Sequence, residues 1–352
     1  MMPIAIRSAL LVCIASGPLA AQEAPAGQPA DAPIEAATAA ECAADTGSIR
    51  VGVRNDARPF SYKLEGTRRS DSRLPRPGGS YYDGYVARIC GNVMAEVQRQ
   101  GVTTFEVCPV EDPTKRFEDL ESGRIDILCD PSTITDPRLE KLMSSPPIYL
   151  SGITVATNTA FPDVFPCGPL IGVVGGTTSD QYGIAEILKA GEFPKLETEI
   201  RDALVNNVAR PDCLKTADEP GRDAAAYREA PIYLGPSHDD VARRFCNHEI
   251  AYYVGDIEIV KANLDAIPNC SYKGASMTYT DERYAIFGHV PENGPPAKLT
   301  GILEFFRELS QQALNQDSVL ISSYNSTFPD ATPSVKLKAL YWSLTGVYPV
   351  RD

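Results

Sequence analysis

The chain is poor in the residues from which most catalytic and metal sites are built. It holds three histidines in 352 residues, too few for a histidine-rich metal centre. Its nine cysteines include no CxxC pair, which argues against zinc knuckles and thioredoxin-type exchange. Neither GxGxxG nor GK[ST] occurs, so there is no dinucleotide fingerprint and no P-loop. No cofactor and no metal is called for. Positive charge is also short. Lys and Arg number 33 against 46 Asp and Glu, a net charge of −13, which argues against nucleic acid and against anionic membrane surfaces. Beyond the first twenty or so residues no apolar run is long enough to cross a membrane.

The chain does begin with an export pattern. MMPIAIRSALLVCIASGPLAAQ has one arginine, a short apolar core and small residues near Ala20 and Ala21, the layout of a signal peptide over 1–21. Val12 before Cys13 is not the small residue that a lipoprotein cleavage site wants, so no lipid anchor is expected. Residues 22–41 are rich in Ala and Pro and read as a disordered linker. Removal of the signal leaves eight cysteines: Cys42, Cys90, Cys108, Cys129, Cys167, Cys213, Cys246 and Cys270. An even number in an exported chain suggests disulfides, and each half-set of four allows three pairings. The remaining 310 or so residues suffice for two domains.

Short apolar strands alternate with helical periods, as in an α/β protein. The stretch RFEDLESGRIDILCDPSTITDPR (116–138) is central. Its first part reads as a helix closed by glycine, and IDILC reads as a strand buried on both faces. The chain then turns polar through Asp130, Pro131, Ser132, Thr133, Asp136 and Arg138. Ligands of open α/β sheets bind beyond the carboxyl ends of strands. Thr133 is therefore a candidate hydrogen-bond donor and Arg138 a candidate carboxylate partner. Arg54 ends the strand predicted at 48–53, and Arg116 leaves the strand predicted at 104–110. Arg54 could instead form a salt bridge to its own loop. A second series restarts at 169–177, a strand running into Gly-Gly-Thr-Thr and a helix, which offers backbone N–H groups to an anion. Further strands are expected at 231–236 and 250–256, with helices at 237–249, capped by Ser237, and at 257–267. Asp256 stands at a strand end, as a ligand or as the cap of the next helix. A return strand is expected within 276–290, then amphipathic helices at 299–314 and in the tail, with Trp342 in the core. Residues 195–228 are polar and irregular and read as a surface insertion. The implied architecture is two βαβ domains with a cleft between them: lobe 1 from 42–153 plus 278–352, lobe 2 from 154–277.

The segments IRVGVRNDARPFSY, YYDGYVARIC, KRFEDLESGRIDILCDPSTITDPR, SSPPIYLSG, IGVVGGTTSD and the Asp after AYYVG are collinear over about 48–290. Together they resemble the type 2 periplasmic solute-binding proteins of amino-acid ABC transporters (family 3), with the nearest likeness to the glutamate/aspartate-binding branch. The resemblance implies a non-enzymatic, monomeric periplasmic protein that captures a small amino acid, glutamate or aspartate, by domain closure and presents it to an inner-membrane permease without inserting into the membrane. It implies Arg138 on the α-carboxylate, Thr177 and Thr178 at the Gly-Thr turn, and Asp256 on the ammonium. Arg54 and Arg116, with His238, would hold a side-chain carboxylate. It also implies a Cys90–Cys129 bridge. The chain departs from the pattern where Asp130-Pro131 replaces the usual Gly-Ser. An added anion there weakens an acidic ligand unless Arg116 compensates. Other readings of the fold are a sensory or accessory binding protein and, with Asp130 as its one unusual carboxyl, a dehydratase-like enzyme.

Overall fold

The computed structural model describes residues 34–37, 42, 47–64, 80–161, 170–193, 227–229, 232–290, 295–315 and 318–346. The signal-peptide segment, Cys167, Cys213 and 195–226 of the expected insertion lie outside the described residues.

Two six-stranded mixed sheets carry the chain. In the first, Phe105–Val110, Ile49–Arg54 and Ile127–Thr133 run parallel, and Glu282–Gly288 lies antiparallel beside the last of them. Met143–Ser144 and Tyr149–Ser151 pair with the far edge of Glu282–Gly288. In the second, Ile171–Val174 lies between the parallel strands Ile232–Gly235 and Tyr252–Asp256. Ile153–Asn158 returns antiparallel to Tyr252–Asp256, and Tyr227–Glu229 and Tyr272–Gly274 form the edges.

Both sheets are apolar on both faces, which is why their strands read as unbroken hydrophobic runs. In the first, Ile127, Cys129 and Ile286 join the core under the helices Tyr85–Arg99, Pro296–Leu314, Val319–Thr327 and Val335–Thr345. Leu128 and Phe287 face the opposite way, toward Leu120 of the helix Arg116–Glu121. In the second sheet Val173 and Val254 face Ile184 and Ile187, while Val174 and Tyr253 face Val241, Phe245 and Val260.

The helix Tyr85–Arg99 buries Val86, Ile89, Val93 and Val97 on one stripe. It starts at Gly84, whose φ is 115° and where a Cβ would sit 2.6 Å from the Phe60 carbonyl carbon, so only glycine fits. The chain changes sheet at Gly152, between Tyr149–Ser151 and Ile153–Asn158. A Cβ there would overlap the Thr280 carbonyl oxygen of the returning segment. The Ile153 amide donates to Thr280 Oγ1 at 2.9 Å, so the outgoing and returning crossings hold each other.

Several expectations need correction. The linker expected over 22–41 contains a strand, Ile34–Ala36, antiparallel to Ser80–Asp83 in a small four-stranded sheet. Ile34 is 2% exposed. Ala36 packs on the same core, the Ala37 amide donates to the Val107 carbonyl at 2.7 Å, and the Cys42–Cys108 bridge ties down the chain just beyond. Trp342 was expected in the core and is 56% exposed, while Tyr341 beside it is fully buried and bonded to Tyr85 Oη. The strand read as IDILC does not end at Cys129. The strand continues through Asp130, Pro131 and Ser132 to Thr133, all buried. Opposite it, Ala285 pairs with Ser132 and Phe287 with Leu128, so Cys129, Asp130 and Pro131 face the single residue Ile286. This bulge accommodates a proline that has no N–H to offer the ladder.

Among the described residues three disulfides close: Cys42–Cys108, Cys90–Cys129 and Cys246–Cys270. The Cys90–Cys129 bridge ties the helix Tyr85–Arg99 to the strand that carries Asp130.

Candidate functional site

Three guanidinium groups converge at the carboxyl edge of the first sheet. Arg54 ends the strand Ile49–Arg54, Arg116 opens the helix Arg116–Glu121, and Arg138 sits in the short turn of helix Asp136–Leu139. All three are buried. Arg54 is held bidentately by Asp56, with Nε to Oδ1 at 2.9 Å and Nη2 to Oδ2 at 3.0 Å. Burial works against its charge, but Asp56 outweighs burial and leaves Arg54 above its ordinary value. Burial likewise opposes ionisation of Asp56, and Arg54 reverses this, holding Asp56 down at about 2.

Arg116 Nε lies 2.9 Å from Asp130 Oδ2, and its Nη1 donates to the Pro113 carbonyl at 2.7 Å. This is a buried ion pair between Nε and Oδ2. The other Asp130 oxygen accepts from the Ser132 hydroxyl. Arg138 Nη1 donates to the Thr133 carbonyl at 2.5 Å, and its guanidinium stacks over the Phe117 ring at 4.0 Å. Burial pulls Arg116 and Arg138 below the ordinary arginine value, and the Asp130 charge pulls both back up.

The second sheet supplies the opposite wall. The Thr177 hydroxyl donates to the Val174 carbonyl at 2.7 Å and accepts from the Asp180 amide at 3.4 Å, so it caps its own turn. Thr178 is buried beside it. The Gly176 amide, offered on the sequence to an anion, donates to Asp180 Oδ2 at 3.2 Å. His238 begins the helix His238–Cys246, capped by Ser237. Its backbone amide donates to Asp56 Oδ2 at 2.8 Å, and its Nδ1 lies 2.8 Å from the Tyr253 hydroxyl. Burial, reinforced by Arg54, pushes the imidazole down to about 3. His238 is thus a neutral ring, not a cation for a ligand carboxylate.

Asp256 ends the strand Tyr252–Asp256 and stands at the N-cap position of the helix Ile257–Asp265, yet its side chain makes no capping hydrogen bond. Its Oδ1 is buried and makes no well-aligned hydrogen bond within the described residues, while the Tyr284 hydroxyl lies close enough to favour its ionised form. Burial, and then the nearby Glu282 charge, push the Asp256 carboxyl up to about 7. Arg138 feels the charges of both Glu282 and Asp256. A buried acceptor therefore stands near a guanidinium, the complement of an amino acid's two charges.

The walls meet on either side of this place. Asp56, in the small four-stranded sheet just past the strand Ile49–Arg54, takes the His238 amide. A Cβ on Gly176 would come within 3.0 Å of the Thr114 carbonyl, so the Gly-Gly turn sits directly against the loop that carries Arg116.

Reading the sequence missed Asp56 and Glu282. Glu282 is fully buried, bonded by Tyr182 Oη at 2.9 and 3.0 Å and by Thr280 Oγ1 at 2.7 Å. A glutamate opening the run ERYAIFG in step with the core-facing Tyr284 and Ile286 was the available signal. For Asp56 it was a carboxyl two positions after a strand-end arginine.

With this geometry in place, the relatives are informative. The class defined by the fold is the two-lobed type 2 periplasmic binding protein. The family model "Bacterial extracellular solute-binding proteins, family 3" matches residues 49–287, and the chain belongs to this family. No curated protein sequence matches it. Among solved structures it is similar to an ancestral arginine-binding protein bound to glutamine, with 17% identity, TM-score 0.53, and 82% of this chain and 100% of the other covered. It is also similar to the arginine-, lysine-, histidine-binding protein ArtJ from Geobacillus stearothermophilus, with 15% identity, TM-score 0.54, and 83% and 99% covered. A third is the ancestral amino acid-binding protein AncCDT-1, a precursor of cyclohexadienyl dehydratase, with 17% identity, TM-score 0.50, and 80% and 96% covered. At these identities the likeness is one of fold.

Proposed function

We propose that this chain is the periplasmic solute-binding component of an ABC transporter, which captures a small amino acid by closure of two lobes and delivers it to an inner-membrane permease. The lobes are 42–153 plus 278–352 and 154–277, a division supported by the change of sheet at Gly152. Arg138 holds the α-carboxylate and Asp256 accepts from the ammonium. The observation that carries the reading is the buried Asp256 carboxyl, which has no cationic partner at ion-pair distance within the described residues and stands within the field of Arg138. Charge-assisted hydrogen bonds contribute roughly 1.5–3 kcal/mol each, and a micromolar complex needs about 8 kcal/mol net. Four or five such bonds, less ordering and desolvation, are of the right size. Binding without turnover is all the site requires, and the binding proteins among its structural relatives are in keeping with that.

Two ligand classes compete for the side-chain end. Glutamate or aspartate is supported by Arg54 and Arg116 at the strand edge. An uncharged side chain is supported by the pairing of those arginines with Asp56 and Asp130. A thermal-shift screen of the twenty amino acids and small dicarboxylates tests capture. A ligand at 100 times its dissociation constant adds about 2.7 kcal/mol to stability. Arg138→Ala is expected to abolish the response. Retention of a full shift by this variant would refute the assignment of the α-carboxylate.

A further inference from the structure

We infer that Asp130, seated on Arg116 inside the site, takes the place of a ligand's side-chain carboxylate, so that the protein selects an amino acid with an uncharged carboxamide side chain over an acidic one. The inference rests on the proposed capture of an amino acid by Arg138 and Asp256 and names its side-chain class.

Three observations support it. The first is charge matching. Arg54, Arg116 and Arg138 bring three positive charges to one edge, and Asp56 and Asp130, both buried, neutralise two of them. What remains is one guanidinium, the complement of one α-carboxylate. The second is rigidity. Asp130 is fixed by the Ser132 hydroxyl, by Arg116, and by a bulge between the Cys90–Cys129 bridge and Pro131. To swing aside for a second anion it would have to give up both the Ser132 hydroxyl and the Arg116 ion pair. A like charge forced beside it in a site of low dielectric weakens binding on the order of 100-fold. The third is the donor and acceptor that the pair presents. Arg116 Nε and Asp130 Oδ2 lie 2.9 Å apart as a buried ion pair, so a guanidinium donor and a carboxylate acceptor stand side by side. A carboxamide presents one acceptor and two donors on a planar group, the set that complements both. A carboxylate presents acceptors only and leaves Asp130 Oδ2 opposed.

The test is isothermal titration calorimetry of the unmodified protein and of Asp130→Ser with glutamine, asparagine, glutamate, aspartate, arginine and lysine. Glutamine or asparagine is expected to bind the unmodified protein at least about tenfold more tightly than either acid. In Asp130→Ser the order is expected to invert, because Arg116 is released to an incoming carboxylate. If Asp130→Ser does not fold, Asp130→Asn, which keeps the volume and removes only the charge, is read in the same way, with its melt checked by circular dichroism. Tightest binding of an acidic or a basic amino acid by the unmodified protein would overturn the inference, as would an unchanged order in both variants. Those results leave capture itself standing. Silence of every ligand with every protein would instead remove the reading of Arg138 and Asp256, and this inference with it.

Discussion

Lowering the pH should release the ligand, and the structure sets the size of the effect. In the proposed complex Asp256 accepts from the ligand's ammonium, and burial beside Glu282 raises its carboxyl to about 7. Only the ionised form attracts the ammonium. With that value, about nine-tenths of Asp256 is ionised at about pH 8 and about 3% at about pH 5.5. The dissociation constant should therefore rise about 30-fold over this interval, equivalent to about 2 kcal/mol of binding free energy. The opposite sign applies to the ligand-free fold. A carboxyl raised from its model-peptide value of 3.8 to about 7 favours the folded state while protonated. Its contribution is complete below about pH 4 and is lost as the pH climbs to about 7, with an upper bound on the order of 4 kcal/mol. Calorimetric titration in two buffers of different ionisation enthalpy reads the proton released on binding. Chemical denaturation of the free protein across the same range reads the stability slope. Asp256→Asn should flatten both profiles while weakening capture. A wild-type affinity unchanged between those pH values, with no proton released, would refute the assignment of Asp256 as a strongly raised acid at the ammonium position.

Three other perturbations have defined outcomes. Asp56→Ala strands the buried Arg54 guanidinium and removes the acceptor of the His238 amide. A loss of roughly 3–5 kcal/mol is expected in urea unfolding, and a loss under 1 kcal/mol would contradict the pairing. Replacing Cys90 and Cys129 together by serine opens a bridge of sequence separation 39. The unfolded-chain entropy of such a loop corresponds to about 4 kcal/mol, to be measured by thermal melting against the oxidised protein. Gly152→Val places a branched side chain against Thr280 at the crossing between the sheets. A cost of roughly 1–3 kcal/mol is expected, and an unaltered melting temperature would show that the crossing is looser than it looks.

Much of the fold was legible because strands buried on both faces and helices buried on one stripe leave periodic traces in the chain. The run predicted at 48–53 corresponds to the strand Ile49–Arg54, and the one at 250–256 to Tyr252–Asp256. Ser237 caps its helix through the Asp240 amide. Positions at strand ends were legible for the same reason, which is how Arg54, Arg116 and Asp256 came to notice. Ile34 was missed because a three-residue strand has too few alternations to show a period. Trp342 was misplaced because its hydrophobicity says nothing about which face of a helix meets the core.

What the sequence alone determined was the set of charged residues at the carboxyl ends of two parallel arrays, since local periodicity decides where strands stop. What only the tertiary structure decided was which of those charges cancel. Asp130 meets Arg116 because a bulge opposite Ile286 keeps it in the strand. Glu282 reaches the neighbourhood of Asp256 on a strand that returns from the other sheet. Asp256 itself makes no capping hydrogen bond although it stands where a helix cap would. Coulomb energy depends on separation in space and on burial, and neither is written in the spacing of residues along the chain.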